Sequence, residues 1–212
     1  MCYLLFLLAS CSRRDDIAFP QKNLISDKQT ADDAFRSIFQ AKKSVKQGDL
    51  ILRTGKDFTS DMMRRLSLTD KTYSHCGIAS LEHDTLFVYH AIGGEWNPNQ
   101  KLRRDPFEFF CNPYENKGFG IFRYNLHNTG SGSLLTVVKN FYSAGIRFDM
   151  KFDLASDDRM YCSEFVYKAI KKATKNRITI PSTTLNSTEF IAVDNLYKNR
   201  YCVEVKRVLF KP

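Results

Sequence analysis

Two apolar runs separated by four turn-forming residues constrain this chain most. Ser74 to Leu81 and Leu86 to Ile92 read as strands, and Glu82-His83-Asp84-Thr85 joins them as a hairpin. A lone hairpin is marginal in water and needs further strands or a helix laid over it. The chain supplies both. Leu50-Ile51-Leu52 begins a strand after the break at Gly48-Asp49, and Gly118 to Tyr124 alternates as another. Tyr201 to Phe210 closes the chain as a strand, with Val203, Val205 and Val208 set across a bulge. Between Asp27 and Lys46, Ala34, Ile38, Ala41 and Val45 fall at helical spacing. Phe58 to Leu66 and Leu134 to Tyr142 read as shorter helices, the latter after a break at Gly130 to Gly132. Asp105 reads as the cap of a short helix, Pro106 to Phe110, with proline at its first position. Glu95 to Arg104 and Arg147 to Asp158 read as irregular. Strands and helices mix without βαβ regularity, which predicts an α+β fold with an antiparallel sheet. At 212 residues, with 43% hydrophobic and 26% charged, the chain fits one domain and excludes disordered or collagen-like classes.

The clearest helix is Cys162 to Thr174, CSEFVYKAIKKAT. Phe165, Val166, Ala169, Ile170 and Ala173 form its buried stripe, and Cys162 lies on that stripe one turn earlier. A thiol in the first turn faces unpaired backbone N–H groups and the positive end of the helix dipole. That environment favours a thiolate nucleophile, and the same N–H groups suit the oxyanion of an acyl intermediate. Taken alone, Cys162 also reads as a buried cysteine at a helix start.

His75 begins the first hairpin strand, in Tyr73-Ser74-His75-Cys76-Gly77-Ile78, and His90 lies on the second, in Val88-Tyr89-His90-Ala91. Gly77 shares the face of His75 and leaves a gap beside it, for a substrate or another side chain. With an even-numbered loop the two histidines share a face, while an odd-numbered loop separates them. A cysteine at a helix start and two histidines on adjacent strands fit a nucleophile, a base and an orienting group. Alone, a strand histidine is a structural residue.

These segments also carry a resemblance. Gly48-Asp49-Leu50-Ile51, Ser74-His75-Cys76-Gly77-Ile78 and Val88-Tyr89-His90-Ala91 resemble consecutive motifs of the NlpC/P60 cysteine peptidases. Here Tyr161-Cys162-Ser163-Glu164-Phe165-Val166 follows those strands instead of preceding them. That order resembles the circularly permuted, YiiX/YebB-like branch. The resemblance implies a permuted papain-like fold, with the Cys-bearing helix packed on the antiparallel sheet. It implies Cys162 as nucleophile, His75 as base and His90 as third, polar member. Glu82 and Glu95 flank the hairpin as substitutes for His90, since many permuted members carry Glu there. The mechanism implied is cleavage of an amide bond through an acyl-enzyme, with no cofactor and no metal. Cys162 with both histidines could bind zinc, but triad chemistry explains them more economically. Two alternatives remain open: a lipid acyltransferase or thioesterase of the related lecithin–retinol acyltransferase group, or a non-catalytic binding module on the same fold.

The N-terminus adds an address. Tyr3 to Ala9 is a short apolar run, too short to span a membrane and suited to a signal peptide. Leu8-Ala9-Ser10-Cys11 resembles a bacterial lipobox, which implies a lipid on Cys11. The expected organisation is a lipoprotein signal over residues 1–10, a tether over 11–26 and the hydrolase domain over 27–212. The protein is then expected in the cell envelope, held to a membrane through its lipid. The net charge of +9, from 32 Lys and Arg against 23 Asp and Glu, favours an anionic partner. Its basic residues are scattered and no nucleic-acid motif is present, so cell-wall peptides or acyl lipids are the expected substrates and nucleic acid is not. Of the six cysteines, Cys76, Cys111 and Cys202 read as small buried apolar residues; no spacing marks a disulfide framework or zinc site.

Overall fold

Hydrophobic strands flanked by helices on both sides bury apolar residues on both faces, and this sheet does so. The computed structural model describes residues 22–95, 97–126 and 130–211. The signal peptide and Cys11 lie outside the described residues, as does most of the tether. Helix α1, Lys22–Lys42, already includes residues 22–26, which the sequence pattern assigned to the tether. It ends four residues earlier than expected, in turns that run into Gly48, whose φ is 82°.

Six strands form one antiparallel sheet in the order β4-β3-β2-β1-β5-β8. They are β1 (Leu50–Gly55), β2 (His75–Glu82), β3 (Thr85–His90), β4 (Arg103–Pro106), β5 (Asn116–Tyr124) and β8 (Cys202–Leu209). A small separate hairpin, β6 (Thr183–Leu185) and β7 (Thr188–Phe190), went unanticipated in the sequence. The other helices are α2 (Phe58–Arg65), α3 (Phe107–Phe110), α4 (Gly130–Ser143) and α5 (Cys162–Ala173). The α+β antiparallel architecture is therefore as expected. Gly130 to Gly132 is not a break but the first turn of α4.

Alternation along the strands sorts the core into two layers. Ile51, Ala79, Val88, Phe119 and Ile121 face α1 and α3, where they meet Ile38, Ala41, Phe107 and Phe110. Leu50, Leu52, Cys76, Ile78 and Tyr89 face the other way, onto Phe165, Val166, Ala169 and Ile170 of α5 and Leu134 and Val138 of α4. The predicted α1 stripe is real: Ala34, Ile38 and Ala41 are buried. The Gly48-Asp49 pair is structural. Asp49 is buried at the start of β1 and holds Arg123 of β5 through two 2.7 Å contacts, while accepting from the Lys46 N–H. The closing strand carries its expected bulge at Val205, since Ile121 pairs with Lys206 and Phe122 with Glu204.

Candidate functional site

The hairpin turn decides whether the histidines meet. Glu82 pairs with Thr85, so the loop is the two residues His83 and Asp84, both at positive φ (44° and 65°). Such a turn matches the twist of its strands. The resulting register sets Ile78 opposite Tyr89 and Ala79 opposite Val88, which places His75 and His90 on one face at a diagonal. Their rings touch: His75 Nε2 lies 2.9 Å from His90 Nδ1, with the ring planes at 85°. Gly77 makes this close approach possible. A Cβ there would lie 2.5 Å from Val88 Cγ1, 2.6 Å from the Tyr89 carbonyl oxygen and 3.0 Å from His90 Cβ. The gap expected beside His75 is thus filled by β3 itself, not left open for a substrate.

A third member emerged from the fold. His90 Nε2 lies 2.9 Å from Asp105 Oδ2. Asp105 sits in β4, which pairs with β3, and does not cap α3; the N-cap position there is Pro106, with no side-chain bond. The carboxyl pKa would rise with burial, but His90 and Arg103 together hold it below the usual carboxylate range. An ionised carboxylate only accepts, so His90 donates from Nε2 and its Nδ1 carries a lone pair. His75 then donates from Nε2 to that lone pair, which leaves His75 Nδ1 as a free base. Asp105 was missed because Arg103–Pro106 is short, polar and ends in proline, as an edge strand permits.

Both flanking glutamates fall outside this chain of groups. Glu82 points to the opposite face, held by Arg104 at 2.6 Å, Tyr89 Oη at 2.8 Å and Lys139 at 3.1 Å. Burial would raise its pKa, yet those partners outweigh burial and hold it at about 2. Glu95 is exposed beyond the end of β3.

Phe110, delivered by α3, roofs the pair with centroid distances of 5.6 Å to His75 and 5.0 Å to His90. Arg53, paired with His75 across β1 and β2, lies over the same ring at 4.9 Å. Burial, followed by the charges of Arg53, His90 and Arg103, pushes His75 well below the usual imidazole pKa. Burial likewise lowers His90, against the pull of Asp105. His75 is therefore a neutral base near pH 7.

Cys162 opens α5 as expected, on the sheet face opposite the histidines. Its core neighbour is Cys76, whose side chain alternates away from His75. No hydrogen bond joins the sulfur of Cys162 to either imidazole among the described residues. Its thiol is held below the usual range by the Cys76 thiol, with burial opposing and the N–H and hydroxyl of Ser163 assisting. Cys76 itself is pushed well up by burial and by donating to Cys162. Cys162 is the one of the two that ionises, because it alone faces the first-turn N–H groups. Around it, Tyr161 Oη accepts from the Ile191 N–H at 2.8 Å, and Ser163 Oγ donates to the Ile191 carbonyl at 2.6 Å. Cys162 is 8% exposed and His75 9%. Burial lowers the Arg53 pKa, while Cys111, Asp57, Asp105 and Cys162 pull it back.

No family model matches the chain, and no curated protein does. A solved structure does: metalloprotein yiiX from Escherichia coli O157:H7 superposes with a TM-score of 0.64 at 18% identity, over 78% of this chain and 99% of that one, and the two share a fold.

Proposed function

We propose that this protein is a cysteine hydrolase on a permuted papain-like scaffold, which cleaves an amide bond through an acyl-enzyme on Cys162. The observation that carries this reading is the Asp105–His90–His75 relay, which ends in a lone pair on His75 Nδ1 at the same end of β2 as the Cys162 helix start. In the proposed first step the Cys162 proton passes to His75 through a bridging water at the start of β2, since the two side chains lie on opposite sheet faces, and the sulfur attacks the amide carbonyl. The amine leaves with the proton from His75, and water then releases the acid. First-turn N–H groups of α5 stabilise the oxyanion. His90 and Asp105 fix the tautomer of His75. We place the protein at a membrane surface in the cell envelope, through a lipid on Cys11, with peptides of the cell wall as substrates.

The yiiX structure is called a metalloprotein, and that property is not carried over to this chain. Among the described residues no three His, Cys, Asp or Glu side chains converge to hold an ion. His75 and His90 also spend their facing nitrogens on each other.

The test is incubation with peptidoglycan fragments and, in parallel, with phospholipids, with products read by mass spectrometry. New amines and carboxylates from peptide that disappear in Cys162→Ala and in His75→Gln support the reading. Cleavage of phospholipid alone moves the assignment to lipid acyl transfer. In the same samples, iodoacetamide at pH 7 should label Cys162 at least about tenfold faster than Cys76, Cys111 or Cys202, whose pKa values burial raises. Equal labelling of all four removes the nucleophile.

A further inference from the structure

The apolar stripe of α1 changes in size along the helix. Ile38 and Ala41 pack against the sheet. One and two turns earlier the same stripe carries only Ala34 and Ala31, whose methyl groups leave space between the helix and the sheet. That space is a cleft of about 730 Å³, closed on its other side by Pro113, Tyr114 and Phe210. Its volume lies within the range of small-molecule sites, about 300–1,000 Å³. Tyr114 is exposed and meets Phe35 edge-on at 5.8 Å. Three lysines stand among these apolar walls: Lys56 after β1, Lys117 in β5 and Lys211 after β8. Among the described residues no carboxylate lines the cleft; Asp32 and Glu115, exposed neighbours in sequence, are not part of its walls. Lys56 donates to the Pro113 carbonyl at 2.8 Å and pairs with no acid. Lys117 lies 3.6 Å from Asp61, whose same oxygen already pairs with Arg64. Lys211 forms no ion pair among the described residues.

Apolar walls with a group of unbalanced cations match a ligand that has an acyl chain and an anionic end. A phosphate fits that end better than a carboxylate. Lysine ammonium groups act as separate point charges, and a phosphate monoester offers them three oxygens and a charge of about −1.5 to −2. A carboxylate carries one charge in a plane, which suits the fork of an arginine. We propose that this cleft binds a single-chain phosphate lipid, with the acyl chain along Ala31 and Ala34 and the phosphate held by Lys56, Lys117 and Lys211. The site goes beyond the hydrolase reading and does not depend on it. None of its residues belongs to the Asp105–His90–His75 chain or to the surroundings of Cys162.

Calorimetric titration of the whole protein with lauroyl lysophosphatidate, kept below its micelle concentration, tests the site. The expected result is saturable binding, one lipid per chain, with shifts of the Ala31 and Ala34 methyl resonances. Lys56→Gln, Lys117→Gln and Lys211→Gln combined should weaken binding at least about tenfold. Ala31→Phe fills the cleft but keeps the lysines, and should weaken it as much. Glycerol 3-phosphate, which has the head and no chain, should not saturate the protein. Laurate and monolauroylglycerol should bind the wild-type protein at least about tenfold more weakly, a comparison that stands even if a variant fails to fold. Laurate binding as tightly as the lysophosphatidate would overturn the phosphate assignment. Binding to phosphatidylglycerol vesicles alone, lost in the lysine variant and indifferent to Ala31→Phe, would make the lysines a membrane-facing surface and overturn the cleft. Absence of saturable binding to any of these lipids would overturn the site altogether, and leave peptide cleavage at Cys162 to be judged on its own test.

Discussion

At the scale of single residues, Gly77 sets the distance between the two histidines. Any side chain there meets Val88, the Tyr89 carbonyl and His90 within 3.0 Å. Gly77→Ala should cost about 1–3 kcal/mol, as overpacking does, and lower the melting temperature by roughly 2–4 °C per kcal/mol. It should also break the His75–His90 hydrogen bond, which would appear as loss of the Nε2–H tautomer of His75 in nitrogen NMR. An unchanged tautomer and melting point would show that β3 moves aside freely. Legibility at this scale was uneven. The sequence showed that His75 and His90 lie on neighbouring strands, but whether they share a face hung on the parity of one loop. The role of Asp105 was hidden because it depends on a pairing between β3 and β4 that no local pattern announces.

At the scale of elements, α5 owes its start to a carboxyl group that titrates near neutrality. Glu164, fully buried at the third position, accepts from the Tyr161 N–H at 3.1 Å and meets Lys168 at 3.0 Å. This is half of a capping box. Burial raises its pKa from 4.5 to about 7, against the pull of Lys168. Between those values the folded state holds a proton that the unfolded state lacks, so stability falls as pH rises from 4.5 to 7. The gap corresponds to at most about 3 kcal/mol. Glu164→Gln keeps an acceptor for Tyr161 and should abolish that decline in thermal melts between pH 5 and 8. A variant with the wild-type slope would move the cause elsewhere. The helix itself was plain in the sequence, since its apolar stripe is the one now buried against β2. Its neighbours were not. Cys162 was expected beside His75 and meets Cys76 instead, because successive residues of β2 face opposite layers.

At the scale of the whole molecule, three buried groups set a pH optimum. His75 and His90 stay neutral in the folded protein below their usual pKa of 6.5, so there the unfolded chain binds up to two more protons. Glu164 contributes one in the opposite sense over 4.5 to 7. Below pH 6.5 the balance favours unfolding as pH falls; above it only the Glu164 decline remains. The melting temperature should therefore peak between about pH 6 and 7, with His75→Gln flattening the acid side. A peak below pH 5 would show that the histidines charge without penalty. The antiparallel α+β architecture was legible from strand and helix spacing. The division of its sheet into a histidine face and a cysteine face was not, for it depends on every register at once.

The order of the elements along the chain has a consequence in time. Synthesis runs from the N-terminus, so β1, β2, β3 and β4 leave the ribosome with both histidines and Asp105 before Cys162 exists. The strand β8 comes last of all, and β5 has no partner on its outer side until then. Domains settle largely as units once their non-local pairings can close. The nascent protein thus carries the linked Asp105, His90 and His75 long before Cys162, and gains the contacts around Cys162 only when the Ile191 segment has been added. Under the proposed function, a growing chain of this design is chemically quiet until it is nearly finished.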